Sequence, residues 1–146
     1  MDRLATGRLP TTDQRVIRSP PMKTAVDLEF NPSPSVPRTA RDAARALSPP
    51  VTERRLDDVR LLISEIVTNS IRHAGMRAED WIRVRMQIGG GLVRIEISDP
   101  GTGFDQPVTP EPLAESGWGM FLLEQIADRW GVTRNDTTCV WFEIDL

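Results

Sequence analysis

The chain has 146 residues, 39% of them hydrophobic and 27% charged, with 12 prolines, a profile that fits one globular domain with a buried core and some irregular chain. A formal net charge of −3 argues against direct nucleic-acid binding, and a single cysteine (Cys139) and a single histidine (His73) exclude an internal disulfide and weigh against zinc enzymes and cysteine proteases. No apolar run approaches the roughly 20 residues that cross a bilayer, and no secretory pattern opens the chain, so a cytoplasmic protein without membrane contact is expected.

Residues 1–23 hold five basic and two acidic side chains, interrupted by Pro10, Pro20 and Pro21. With no sustained apolar period, they read as a flexible basic extension. Thr24–Phe30 then alternates as a half-buried strand. A short helix is expected over 37–47, with proline in its first turn and Pro49-Pro50 closing it. A longer helix should follow from Thr52, its N-cap, to Ala74, with Gly75 as its stop, because Leu56, Val59, Ile63, Ile66, Val67 and Ser70 recur at helical steps.

Two strands, 81–88 and 92–99, are joined by Gly89-Gly90-Gly91 and predict a hairpin. Residues 104–116, rich in proline and polar side chains, read as a long functional loop, a lid. The periodicity of Met120, Leu123, Ala127 and Trp130 predicts a helix over 117–130 closed by Gly131. Residues 132–146 give two final strands around Asn135-Asp136. The expected fold is α/β: a two-layer sandwich of a mixed, mostly antiparallel sheet with helices on one face, occupying residues 24–146.

Four clusters carry candidate chemistry. Glu65, Asn69 and His73, spaced four residues apart, share one face of the long helix. Such a face is either simply solvated or, with a carboxylate and an amide oxygen one turn apart, able to hold hydrated magnesium. Asp99 has the parity of Val93, Ile95 and Ile97, so it ends the apolar face of its strand; it either caps a turn or accepts a hydrogen bond from a ligand amino group. Gly101 and Gly103 follow it and permit close backbone approach. Ser116-Gly117-Trp118-Gly119 opens the second long helix, where bare amides attract phosphate; no Gly-rich phosphate loop ending in Lys-Ser/Thr is present. Thr138 begins the terminal strand, whose alternation is that of a core strand; its hydroxyl could also reach a base.

Together these clusters resemble the GHKL (Bergerat-fold) ATPases. Ser64-Glu-Ile-Val-Thr-Asn-Ser-Ile-Arg-His-Ala74 is similar to the N box of the anti-sigma-factor serine/threonine kinases. Asp99-Pro-Gly-Thr-Gly-Phe104 is similar to their adenine-binding box, and Gly117-Trp-Gly-Met-Phe-Leu-Leu-Glu-Gln-Ile-Ala-Asp-Arg-Trp-Gly-Val132 to their second glycine box. The resemblance implies ATP and Mg2+ as ligands. Asn69 would bind the metal, Asp99 the adenine amino group, Gly101 and Gly103 the base, and Gly117 and Gly119 the phosphates, with Thr138 a further adenine contact. His73, inside this helix, belongs with the cofactor-binding residues rather than being a phosphoacceptor.

Glu65 falls at the family's general base. The implied reaction is phosphoryl transfer to a serine of a STAS-type anti-anti-sigma protein, by a kinase that also sequesters a sigma factor, and the resemblance suggests a homodimer. The expected lid, 105–116, contains no Arg or Lys to steady the transferring phosphate, and Arg72 or Arg77 would have to substitute from outside it. A non-catalytic, nucleotide-gated binding regulator of the same fold is the alternative. The ATP-binding half of a histidine kinase is a weaker third reading, since no helical region with a phosphorylatable histidine precedes the domain.

Overall fold

In a computed structural model of the chain, the described residues are 21–73, 77–101 and 118–146. The expected extension (1–23, apart from its last three residues), the helix stop at Gly75, and the lid with Gly103 and Gly117 lie outside them.

The first strand, β1, runs Lys23–Phe30. Its register against the next strand shifts between Thr24 and Val26. That one-residue bulge resets the alternation and turns Val26 into the core. Helix α1 spans Val36–Ala43, with Pro37 in its first turn, where a missing amide hydrogen costs nothing. The expected single helix over 37–47 is instead divided, since Ala44–Leu47 tightens into a 3₁₀ turn. Ser48, held extended at ψ 141° before Pro49, ends it.

Helix α2 spans Glu53–His73. Thr52 is its N-cap as expected: its carbonyl accepts the Leu56 amide at 2.8 Å, and its hydroxyl accepts a longer bond from the Arg55 amide at 3.4 Å. Leu56, Val59, Leu62, Ile63, Ile66 and Val67 are fully buried. Burial of the predicted stripe stabilises each such side chain by about 1.5–3 kcal/mol relative to exposure.

Strands β2 (Ile82–Gly89) and β3 (Leu92–Asp99) form the expected hairpin. Gly90 and Gly91 turn the chain at φ +61° and +78°, the left-handed conformations that a two-residue turn needs at both positions.

Helix α3 spans Trp118–Ile126, and β4 (Arg129–Arg134) and β5 (Thr138–Asp145) follow. The expectation of helix as far as Trp130 fails here. Trp130 lies opposite Phe142 in the sheet, and the Asp128 amide donates to the Glu143 carbonyl at 2.9 Å. Strand pairing therefore overrides a periodicity that sequence reads as helical. Gly131 is accordingly no helix stop. A Cβ there would sit 2.8 Å from the Trp141 indole, so glycine lets the ring lie across the strand. Gly131→Val should lower stability by about 1–3 kcal/mol, measured as a shift in the urea midpoint at unchanged m-value.

The strand order is β1-β2-β3-β5-β4. The sheet was expected to be mixed and mostly antiparallel; all described pairings are antiparallel. The reason is topological. The chain leaves β3, passes through α3 to the sheet edge as β4, and returns as β5 into the gap between them, so the two strands of like direction never become neighbours.

The helices share one face with the core, in which Leu62, Ile66 and Leu123 join Ile95, Phe142 and Ile144. On the opposite face, Arg94 bonds Glu96 on its own strand at 2.9 Å, and ion pairs run across the strands: Arg94 bonds Glu143 at 3.0 Å, and Arg129 bonds Glu143 at 2.7 Å and also pairs with Asp145. Arg94 also stacks over Trp141, 4.4 Å from the ring centre. Each exposed pair is worth little singly, but together they favour one register of β3, β5 and β4. No described helix is long and apolar enough to cross a membrane.

Candidate nucleotide site

The β3/β5 register places Asp99 directly opposite Thr138. Both are only 2% exposed. Parity along β3 dictates this for Asp99, which follows Val93, Ile95 and Ile97 onto the helix-covered face. Its Oδ1 accepts the Gly101 amide at 2.7 Å, an Asx turn of the kind Asp forms with the amide two residues on. Thr138 Oγ1 donates to the Gly101 carbonyl at 3.0 Å. Gly101 is thus held through both its amide and its carbonyl, by Asp99 and by the strand opposite.

The two readings of Asp99 are compatible in this geometry. One oxygen serves the turn, which leaves the other for a ligand. Burial pushes the carboxyl pKa above its ordinary value, tempered by the Ser70 hydroxyl and the Gly101 amide; the negative charge of Asp80 adds to the rise. A buried carboxylate short of donors gains from a ligand that supplies one.

Helix α2 brings two further polar side chains under cover. Asn69 is 5% exposed and Ser70 2% exposed. Neither Asn69 Nδ2 nor Ser70 Oγ makes a hydrogen bond among the described residues. Ser70 lies near enough to Asp99 to affect its carboxyl but not in bonding geometry. Orphaned buried polar atoms are uncommon in native proteins, and a missing ligand, ion or water is a usual reason.

Sequence periodicity places Ser70 only in the apolar row. The signal available for a further role is a hydroxyl in that row, next to Asn69 and one turn after Ile66.

Glu65, half-buried, lies one turn before Asn69 on the same helix edge. No hydrogen bond or ion pair engages its carboxylate among the described residues. His73 is the last residue of α2. Gly119 lies in the first turn of α3. Arg72 is exposed and lines a cleft of about 490 Å³ with Pro32, Ser33, Pro34, Pro37, Thr68 and Ile71. That cleft includes neither Asn69 nor Asp99. Arg77 is exposed on the connection after α2, its amide donating to Asp80 at 2.6 Å.

The donor set fits hydrated magnesium. The Asn69 amide oxygen is a hard oxygen donor, and magnesium takes few of these from protein, keeping waters and substrate phosphates for the rest. The unpaired state of the Asn69 amide leaves that side chain free to turn its oxygen to such an ion.

Residues 30–144 match the family described as histidine kinase-like ATPase domain (HATPase_c_2). The chain belongs to this family. Within it, the chain is 36% identical over 116 residues to the anti-sigma F factor of Clostridium botulinum (strain Eklund 17B / Type B), covering 70% of this chain and 80% of that protein. It is 33% identical over 86 residues to the serine-protein kinase RsbW of Listeria innocua serovar 6a, covering 50% of this chain and 55% of that one.

The fold is also that of the blue-light activated histidine kinase of Erythrobacter litoralis EL346, at 27% identity and a TM-score of 0.51 over 66% of this chain and 32% of the other. The expected GHKL-type resemblance and the α/β fold are therefore both met. An ATP-binding, kinase-like domain related to anti-sigma factors follows from the family and its members.

Proposed function

We propose that this histidine kinase-like ATPase domain is a serine/threonine protein kinase that binds ATP with Mg2+, phosphorylates a STAS-type anti-anti-sigma protein, and sequesters a sigma factor in the cytoplasm. The observation that carries the reading is the joining of α2 to the β3/β5 pair. Glu65 and Asn69 sit on the helix beside a buried Asp99 that retains a free oxygen. Similarity to the anti-sigma F factor and to RsbW supports the partner classes.

In this reading Asp99 accepts the adenine amino group, with Gly101 and Gly103 at the base. Gly117 and Gly119 hold the phosphates at the start of α3, where helix amides favour anions. Asn69 would hold magnesium, which when bound neutralises phosphate charge. Glu65 takes the proton from the partner's serine hydroxyl as that oxygen bonds to the γ-phosphorus. The bond from phosphorus to the β–γ bridging oxygen breaks, and ADP leaves with that electron pair. Thr138 and His73 complete the set, the first against Gly101 and the second at the end of α2.

A second reading, nucleotide-gated binding without transfer, is favoured by one sequence fact: residues 105–116 hold no Arg or Lys to steady the transferring group. The test is transfer of labelled γ-phosphate from ATP to a panel of STAS-domain proteins. Label appearing on a serine of one of them supports the kinase. Magnesium-dependent ATP binding without transfer to any panel member favours the binding module.

A further inference from the structure

Leu61, Glu65, Thr68 and Arg72 recur at steps of four, three and four, so they form one stripe along the outer side of α2. Leu61 is left 41% exposed at one end and Arg72 is exposed at the other, with the half-buried Glu65 and Thr68 between them. At the Arg72 end the stripe runs into the cleft of about 490 Å³. Pro32, Pro34 and Pro37 line it from the connection after β1 and the first turn of α1, and Thr68, Ile71 and Arg72 line it from α2. The proline side is held in place without a ligand. Proline fixes its own backbone angle, Asn31 Nδ2 donates to the Asp80 carbonyl at 2.9 Å, and the Ser35 amide donates to Ser33 Oγ at 3.2 Å. The Arg72 guanidinium has no hydrogen bond or ion pair among the described residues. A preformed, mainly apolar cleft with one uncommitted cation fits an apolar segment that carries a carboxylate. The flanking residues 36–47 hold three arginines against one aspartate, a field that also favours an acidic partner.

We propose that this cleft docks the phosphoacceptor protein: an acidic side chain three or four residues from the phosphorylated serine enters it and pairs with Arg72, which sets that serine at Glu65. The inference rests on the reading of the domain as a kinase with Glu65 as its base, and it deepens that reading by naming what selects the acceptor. Seven residues of helix separate Glu65 from Arg72 by about 10 Å. Three residues of extended chain span the same length. Leu61, on the far side of Glu65, is then covered by the acceptor's surface. Arg72 is in this arrangement a docking residue and not the cation that steadies the transferring phosphate. It lies about 200° round the helix from the buried Ser70, and its cleft includes neither Asn69 nor Asp99.

The experiment measures transfer of labelled γ-phosphate from ATP to the STAS-domain protein that the wild-type chain labels, over a range of acceptor concentrations, for the full chain, Arg72→Ala and Arg72→Glu. ATP affinity, melting temperature and self-association are measured beside it. Arg72→Ala should raise KM for the acceptor about tenfold, the loss of one charge-assisted contact, with kcat, ATP affinity and melting temperature near those of wild type. Arg72→Glu should raise KM further. Changing one acidic residue within four positions of the labelled serine to lysine should weaken transfer by wild type and restore it to Arg72→Glu. An unchanged KM in both variants, or a loss of kcat at unchanged KM, overturns this inference alone. So does a set of acceptor variants in which no charge reversal restores Arg72→Glu, or a change in self-association in place of a change in KM. A chain that binds ATP and labels no protein of the panel overturns the kinase reading and this inference with it.

Discussion

Glu65→Gln should reduce phosphoryl transfer to a STAS-domain acceptor by about 10²–10⁴-fold, the usual contribution of a positioned general base, while ATP affinity stays within about twofold. Glutamine keeps the length and shape of the side chain but cannot take up the serine proton. The position favours a clean result, because the carboxylate is half-buried and makes no hydrogen bond or ion pair among the described residues, so its replacement breaks no structural contact. Single-turnover transfer with labelled ATP, beside equilibrium nucleotide binding, separates the two quantities. Equal loss of binding and transfer would place Glu65 in nucleotide binding instead. An unchanged transfer rate would remove it from the chemistry.

Asp99→Asn is expected to weaken ATP binding by about 10–100-fold without destabilising the free protein. Asparagine can still accept the Gly101 amide through its oxygen, which preserves the turn. Its remaining group is then a donor, set against the donor amino group of adenine.

The stability side follows from linkage. The Asp99 carboxyl in the folded protein binds its proton more tightly than at its ordinary value of 3.8. Between that value and the raised one, the folded state holds more protons than the unfolded state, so stability falls as pH rises through this window. At neutral pH the ionised carboxylate is thus a cost that the asparagine variant lacks. Thermal unfolding at pH 7 should show the variant melting at or above wild type, with the difference shrinking as the pH falls below the ordinary carboxyl value.

Binding runs the other way in pH, because adenine needs the ionised form. Wild-type affinity should fall as the solution is acidified through the raised pKa. A variant that melts well below wild type at pH 7 would show that the charge itself supports the fold.

Much of the site is legible in the order of the amino acids. Four-residue spacing along an uninterrupted apolar stripe puts Glu65 and Asn69 on one helix edge, and parity along β3 turns Asp99 inward. Both are local periodicities that survive any packing consistent with a buried core. The Thr52 cap and the Gly90-Gly91 turn are local in the same sense, since backbone conformation and residue type decide them within a few positions.

Where local pattern and long-range pairing disagree, pairing prevails. Met120, Leu123, Ala127 and Trp130 fit a helical stripe, yet Trp130 joins a strand because Phe142 and the backbone of β5 lie alongside it. Ser70 reads as part of an apolar row, since periodicity indicates that a residue is buried but not what it is buried against. Only the closure of α2 over the β3/β5 pair sets its hydroxyl by Asp99, and only the strand register sets Thr138 on the carbonyl of Gly101. The sequence alone determined most of the elements, the parity of Asp99 and the helix edge bearing Glu65 and Asn69, because those follow from the repeat of the backbone. The tertiary structure decided which polar groups meet and which remain without partners, because hydrogen bonding depends on distances between segments far apart in the chain.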